Sequence, residues 1–316
     1  MVRFTVLSSG SKGNSTIVAG GRTRILVDAG LSCRELFRRM KLAGEEPESL
    51  SAILVTHEHA DHVAGISVTA RKLGIPVYFT EATHNAWRRW VKPHRQMTYA
   101  QWMEQMRKKA ADRMLDADAV EDEPAEVPQE AEQAPEVSSQ PPSRKQDPTW
   151  LPAVELFSAG QPFSIGDIDV SPFTTPHDAA DPVGFVFQSE GVRIGYATDL
   201  GYIPPNVKAQ LQRLDLLLLE ANHDLEMLRD GPYPWAVKQR VLSRVGHLSN
   251  DDAANFLLKD YDGSAAYIVL AHLSENNNHP DLARLAAEQA LLGRGSLLTN
   301  RTVVASQHEP LQTLNF

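Results

Sequence analysis

The run ILVTHEHADH confines the fold of this chain more than any other stretch. Ile53, Leu54, Val55 and Thr56 are apolar or β-branched and read as a buried strand. That strand stops abruptly and delivers His57, His59, Asp61 and His62 within six residues, so all four can enter one pocket at its end. Imidazole and carboxylate donors suit divalent transition metals, above all zinc. Four donors exceed what one catalytic ion with an open position takes, so the spacing H-x-H-x-D-H leads to an expectation of ligands shared between two ions. A histidine-rich surface loop is the competing reading, but so full a pattern is seldom met by accident.

Around this run, strands and helices alternate. Phe4–Leu7, Ser15–Val18 and Arg24–Val27 read as an opening antiparallel set. Ser32 to Ala43 reads as a helix, with Ser32 and Glu35 in capping-box spacing and Gly44 as its stop. A helix over Ala64–Leu73 and a strand over Val77–Thr80 follow the histidine run. Later strands are expected at Ile168–Thr174, Val183–Gln188, Arg193–Ala197 and Ala266–Leu270, with helices at Asp251–Lys259 and Pro280–Leu292. Leu214–Leu219 is continuously apolar, as a strand buried on both faces requires. Strands followed by helices in both halves predict an α/β fold of two packed sheets with helices outside.

With 316 residues, 42% of them hydrophobic, the chain can bury a substantial core. A single cysteine, Cys33, excludes a disulfide framework and any cysteine-rich zinc cluster; it reads as a buried helical thiol. MVRFTVLSSG has too short an apolar run for a secretory signal, and no segment reaches membrane-span length. A cytoplasmic protein with no membrane partner is expected. The net charge of −9 lies wholly between Asp112 and Glu136, where ten acids face Arg113 alone. The remaining body balances at 30 acids against 30 bases and can carry a local basic groove. The acidic window belongs to a Pro-rich stretch at 96–152, read as an inserted disordered loop with a short helix over Tyr99–Leu115. Residues 1–95 and 153–316 then form a single domain. The insertion reads as a solvated spacer or, as a lesser alternative, a tether for a protein partner.

A two-metal site needs more donors at other strand ends. His177 follows the strand ending FTTP, Asp199 follows RIGYAT, and His272 follows YIVLA. Singly, each also reads as a strand end, turn or cap; in this order behind the first motif they reinforce one another. At this point the chain resembles the metallo-β-lactamase superfamily, and its YycJ/WalJ-type members in particular. The matching runs are SSGSKGNS, LVDAGLS, THEHADHVAG, HDAADPVGF, ATDLG, LEANHD, GHLSN and AHLSENNN, which span the chain apart from the insertion. The resemblance implies a four-layer αββα sandwich with a dinuclear site between its sheets, holding two divalent ions, Zn2+ or Mn2+. It implies that His57, His59 and His177 hold one ion and that Asp61, His62 and His272 hold the other, with Asp199 bridging. Asp28 in LVDAG would orient a ligand imidazole from behind, or is simply a turn residue before Gly30.

Two adjacent ions make a water acidic enough to attack an ester, a thioester, a β-lactam or a phosphodiester. The lone early cysteine cannot serve as the downstream thiolate of many zinc β-lactamases. Phosphodiester cleavage expels an alkoxide and gains from a general acid. His247 in GHLSN, with Glu220 in LEAN, resembles the histidine–carboxylate pair of the phosphodiesterase branches; a helix N-terminal role beside Ser249 is the plainer alternative. Asp61, Glu220 and His247 form the expected catalytic set. Ser9, Ser11 and Asn14 in the SSGSKGNS loop, with His223, Tyr233, Lys238 and Asn276, are candidate substrate contacts. Arg229, Tyr233, Trp235, Lys238, Arg240 and Arg244 interleave bases with aromatics, in a pattern that fits a nucleic-acid track or a solvated helix. The expected activity is hydrolysis of nucleic acid, and the resemblance implies a DNA 5′→3′ exonuclease. A cyclic-nucleotide phosphodiesterase, a glyoxalase II-like thioesterase and a non-catalytic metal-bound interaction module are the alternatives.

Overall fold

The computed structural model of the chain describes residues 1–92, 147–294 and 300–316. One unit comprises Met1–Trp90 and Thr149–Phe316; the other, Val91–Pro148, lies almost entirely outside the described residues. The helix expected over Tyr99–Leu115 and most of the expected acidic loop fall there. The first unit resumes before the expected boundary, with Thr149 and Leu151 already buried.

Among the described residues, fourteen strands form two seven-stranded sheets. The first sheet opens with β1 (Arg3–Ser8), β2 (Ser15–Ala19) and β3 (Arg24–Val27), paired antiparallel as expected. β4 (Ala52–Leu54), β5 (Pro76–Thr80) and β6 (Ala153–Phe157) then add in parallel. The second sheet runs from β7 (Phe163–Ile165) through β8 (Ile168–Thr174), β9 (Val183–Ser189) and β10 (Val192–Ala197), all antiparallel. It continues in parallel through β11 (Leu216–Glu220), β12 (Tyr267–Ala271) and β13 (Arg301–Val304). β14 (Leu314–Asn315) returns to the edge of the first sheet beside β1.

The two sheets share one apolar layer, with Phe4, Val18, Ile25 and Leu54 in the same cluster as Phe185, Ile194, Leu216 and Val269. A second layer lies between the outer face of the second sheet and its helices. There Leu217, Leu219 and Ile268 pack with Val207 of α5 (Pro205–Gln210), Phe256 of α8 (Asn250–Lys259) and Ala283 of α9 (Pro280–Gly293). Leu216 and Leu218 thus face one layer while Leu217 and Leu219 face the other, which is why β11 reads as an unbroken apolar run. The outer face of the first sheet carries α1 (Cys33–Leu42), with Leu36, Met40 and Cys33 buried. α4 (Glu81–Val91) buries Trp87 against Phe79. Helices outside two sheets give the αββα order. No helix among the described residues is long and apolar enough to cross a membrane.

The helix expected over Ala64–Leu73 is α3 (Ile66–Leu73), and a separate single turn, α2 (Ala60–Val63), precedes it. The break is at Gly65, whose N–H donates to the Ala29 carbonyl at 2.7 Å. A Cβ there would lie 2.0 Å from the Leu31 carbonyl oxygen, so the chain must carry glycine where the helices meet the β3 loop. β6, β7, β13 and β14, with α4, α5 and α6 (Leu225–Asp230), have no counterpart in the sequence reading, whereas α7 (Trp235–Val241) is the solvated helix that the Arg229–Arg244 spacing allows. They are short, and several lie at sheet edges or are largely exposed, so their apolar spacing is weak.

Candidate metal centre

Every candidate ligand lies just beyond a strand. β4 ends at Leu54, and Thr56, beyond it, is pinned to Asp28 at the end of β3: its N–H and hydroxyl donate to the two carboxylate oxygens at 2.8 Å each. His57 follows, His59 caps α2, and Asp61 and His62 lie on α2 itself. From the second sheet come His177 beyond β8, Asp199 beyond β10 and His272 directly after β12. Asp28, Asp199 and His272 take left-handed backbone, with φ of 60°, 58° and 58°. Such turns at the strand ends aim these side chains across the rim.

The imidazoles are held from behind. His62 donates from Nδ1 to Asp28 Oδ2 at 2.7 Å, and His57 from Nδ1 to the Thr56 hydroxyl at 3.0 Å. His177 donates from Nδ1 to the Gly246 carbonyl at 3.0 Å, and His272 from Nδ1 to Glu220 Oε1 at 2.9 Å. Each anchor is an acceptor, or in Thr56 a hydroxyl whose proton is given to Asp28. The proton is therefore fixed on Nδ1 and Nε2 faces the centre. His59 instead turns Nδ1 inward, 3.2 Å from His177 Nε2. Donor atoms of His57, His59 and His177 lie within 4.8 Å of one another, and so do those of Asp61, His62 and His272. Asp199 stands between them, with Oδ2 3.4 Å from His62 Nε2 and Oδ1 3.8 Å from His177 Nε2.

The donor set fits divalent ions. His57 Nε2, Asp199 Oδ2 and His272 Nε2 are buried without a hydrogen-bond partner, a costly arrangement that a cation relieves. Charge tells the same story. Burial opposes protonation of His62, yet Asp199, Asp28 and Asp61 outweigh it and push the imidazole up to about 9. Burial, reinforced by the neighbouring imidazoles, holds His57 well below the usual histidine range. Burial works against ionised Asp61, but His62 and His272 hold it below the ordinary carboxylate range. Ionised Asp61 and neutral His57 are the forms that bind a divalent ion, and the proton held on His62 is what such an ion would displace.

Beside the centre, His247 Nδ1 lies 2.8 Å from Glu220 Oε1. The same carboxylate oxygen holds His272, while Oε2 accepts the N–H groups of Leu200 at 2.9 Å and Leu248 at 3.3 Å. Glu220 is thus fully engaged as an acceptor, and its ionised form is favoured although burial works against it. A cavity of about 330 Å³ opens onto this group, lined by Ser11, His59, Ala60, Asp61, Asp199, Arg240, His247 and His272.

The expected substrate contacts divide sharply. Ser11 lines the cavity. Ser9 does not: its buried hydroxyl accepts the His272 N–H at 2.7 Å. Asn14 is buried too, with Nδ2 3.0 Å from His62 Nε2 and 3.2 Å from Asp61 Oδ2, so it orders the ligands. His223 is buried at 1% exposure with both ring nitrogens unpartnered, and burial lowers its pKa to about 4. It stands in the interior where a polymer cannot reach. Tyr233 and Lys238 are half-buried outside the cavity lining, Lys238 donating to the Arg229 carbonyl at 2.6 Å, and Asn276 is exposed on the loop after β12. The sequence reading overlooked Gln307, which donates to the Ser8 hydroxyl at 2.7 Å and accepts from Lys12 N–H at 2.8 Å, staking the SSGSKGNS loop in place. No local pattern marks a glutamine nearly three hundred residues from its partners.

Comparison with known proteins agrees with this geometry. The family model of the metallo-beta-lactamase superfamily matches residues 9–272. This chain belongs to that superfamily. It is 34% identical over 294 residues to the exodeoxyribonuclease YycJ of Bacillus anthracis, covering 93% of this chain and 90% of that protein. It is 32% identical over 297 residues to the exodeoxyribonuclease WalJ of Streptococcus pneumoniae, covering 93% and 91%. In fold it is similar to the crystal structure of the metallo-beta-lactamase fold protein YhfI from Bacillus subtilis, with a TM-score of 0.62, 16% identity and 98% of each chain covered. The chain is a metal-dependent hydrolase.

Proposed function

We propose that this hydrolase is a nuclease that degrades DNA from a 5′ end, with the ions held by His57, His59 and His177, by Asp61, His62 and His272, and by Asp199 between them. The observation that carries the reading is the Glu220–His247 pair, 2.8 Å apart, with His247 lining the cavity and Glu220 buried behind it. The names of the YycJ and WalJ relatives support DNA as the substrate class. Divalent ions, Zn2+ or Mn2+, would supply Lewis acidity at the phosphate and at the attacking water.

The chain supplies the rest. Glu220 holds His247 through Nδ1, which turns Nε2 toward the substrate. Protonated there, His247 donates to the leaving 3′ oxygen, and Glu220 stabilises the imidazolium before that step. Asp61 is turned inward by its contacts with Asn14 and His272. Asp28 and Thr56 keep the ligand imidazoles in one tautomer.

The test is a time course on 5′-labelled duplex DNA with metal analysis of the same sample. Two ions per chain with stepwise release of labelled mononucleotide are expected. Intact DNA beside turnover of a cyclic nucleotide or a thioester would transfer the site to that smaller substrate.

A further inference from the structure

The metal cavity must receive a phosphodiester anion, yet its lining includes the carboxylates of Asp61 and Asp199. Arg240 is the only lysine or arginine among the described residues that line it. Its side chain is 63% exposed and is tied by a bidentate-capable guanidinium to Asp178, the neighbour of His177. Asp178 in turn places Oδ1 3.5 Å from His177 Nε2.

The helix that carries Arg240 has no buried residue, so packing does not fix it. It is held by its exit. The Val241 carbonyl accepts the His247 N–H at 2.9 Å, the Val245 carbonyl accepts the Asp178 N–H at 3.0 Å, and the Gly246 carbonyl holds His177 Nδ1 at 3.0 Å. A Cβ on residue 246 would lie 2.1 Å from the Val241 carbonyl oxygen and 2.3 Å from that of Arg240. One short loop therefore joins Arg240 to His247 and to His177 with no slack.

Resting on the nuclease reading above, we propose that Arg240 is the phosphate-binding residue of this site and Asp178 its resting counter-ion, the substrate phosphate replacing the carboxylate on the guanidinium. Both are anionic oxygen acceptors that fit the planar fork of arginine. The exchange leaves Arg240 paired at all times, which keeps an uncompensated cation from the rim of a metal site. The residue after Arg240 also accepts the His247 N–H through its carbonyl, so phosphate held on the guanidinium lies beside the imidazole.

The two partners then predict opposite signs. Arg240→Ala should raise KM for an oligonucleotide about ten- to hundredfold, and reduce the slope of log affinity against log salt by about 0.7–0.9. Asp178→Asn, which removes the competitor, should lower KM about threefold or more and have no effect when Arg240 is already alanine. Arg240→Lys should restore part of the loss. Metal content is measured in every variant, and the series is repeated on bis(p-nitrophenyl) phosphate. Wild-type protein that cleaves this ester but not DNA ends the nuclease reading, while the opposite signs on the ester still support the exchange. A rise in KM for both single variants, as a merely structural ion pair gives, overturns it. Loss of metal from Asp178→Asn would make Asp178 a ligand and overturns it as well.

Discussion

The two sheets supply the centre in opposite ways. The first delivers four donors from one loop and one short helix, His57 through His62, with Asp28 and Thr56 locking them from the adjacent strand end. The second delivers one donor from each of three strand ends, His177, Asp199 and His272, with Glu220 on a fourth strand bracing His272. The first half is a local motif whose geometry survives on a few neighbouring bonds. The second half exists only when β8, β10, β11 and β12 are in register. Its brace also differs, because Glu220 holds the imidazoles of His272 and His247 on one oxygen, whereas Asp28 holds His62 together with the N–H and hydroxyl of Thr56.

The largest break comes where the halves meet. Asp199→Ala removes the carboxylate that faces both groups, and turnover should fall by three orders of magnitude or more with metal lost, checked by metal stoichiometry beside activity. His247→Ala touches the second half alone: turnover should fall about 10²- to 10⁴-fold while both ions remain. Loss of metal together with activity would make His247 a ligand. The braces sharpen the contrast at smaller scale. Asp28→Asn and Glu220→Gln should each weaken metal affinity about 10–100-fold. Glu220→Gln alone should also lower turnover, because it loosens His247 as well as His272.

The smallest effect is on stability after chelation. His62 titrates near 9 in the folded chain against 6.5 for a free imidazole, so its contribution is fully present below about 6.5 and is lost as pH rises through about 9. The raised His272 acts in the same direction, and the depressed His57 matters only below 6.5. The melting temperature of the metal-free protein should therefore fall between pH 6.5 and 9. The metal-loaded protein should show the reverse slope, because its ions require deprotonated imidazoles. Parallel slopes would mean that the first sheet's donors are not where the ions bind.

The same contrast explains what could be read from the letters. The first sheet's donors announce themselves because they are contiguous and follow a β-branched run. His177, Asp199 and His272 carry only the weak mark of a polar residue after an apolar strand, and it was their order, with the family resemblance, that gathered them. What stayed hidden was division of labour. Ser9, Asn14 and His223 are polar residues in suggestive motifs, but folding spends them in the interior, on a backbone N–H, on ligand oxygens and nitrogens, and in a buried pocket. Arg240 looked like one base among several in a helical track; its place on the cavity rim depends on a loop closure that spacing does not encode. Edge strands such as β6 and β14 were missed because a mostly exposed strand has no apolar alternation to show.

Three of the strand-end residues, Asp28, Asp199 and His272, hold left-handed backbone that costs an ordinary L-residue about 1–2 kcal/mol. Glycine adopts that conformation freely and asparagine more easily than most, so the centre's need for Asp199 and His272, and the need of Thr56 and His62 for Asp28, keep the present residues in place. A gene copy released from catalysis should drift at these three positions first, toward glycine or asparagine, and gain stability as it does so. Duplicated descendants of this chain would then carry the date of their retirement in three codons, legible before the strands around them begin to erode.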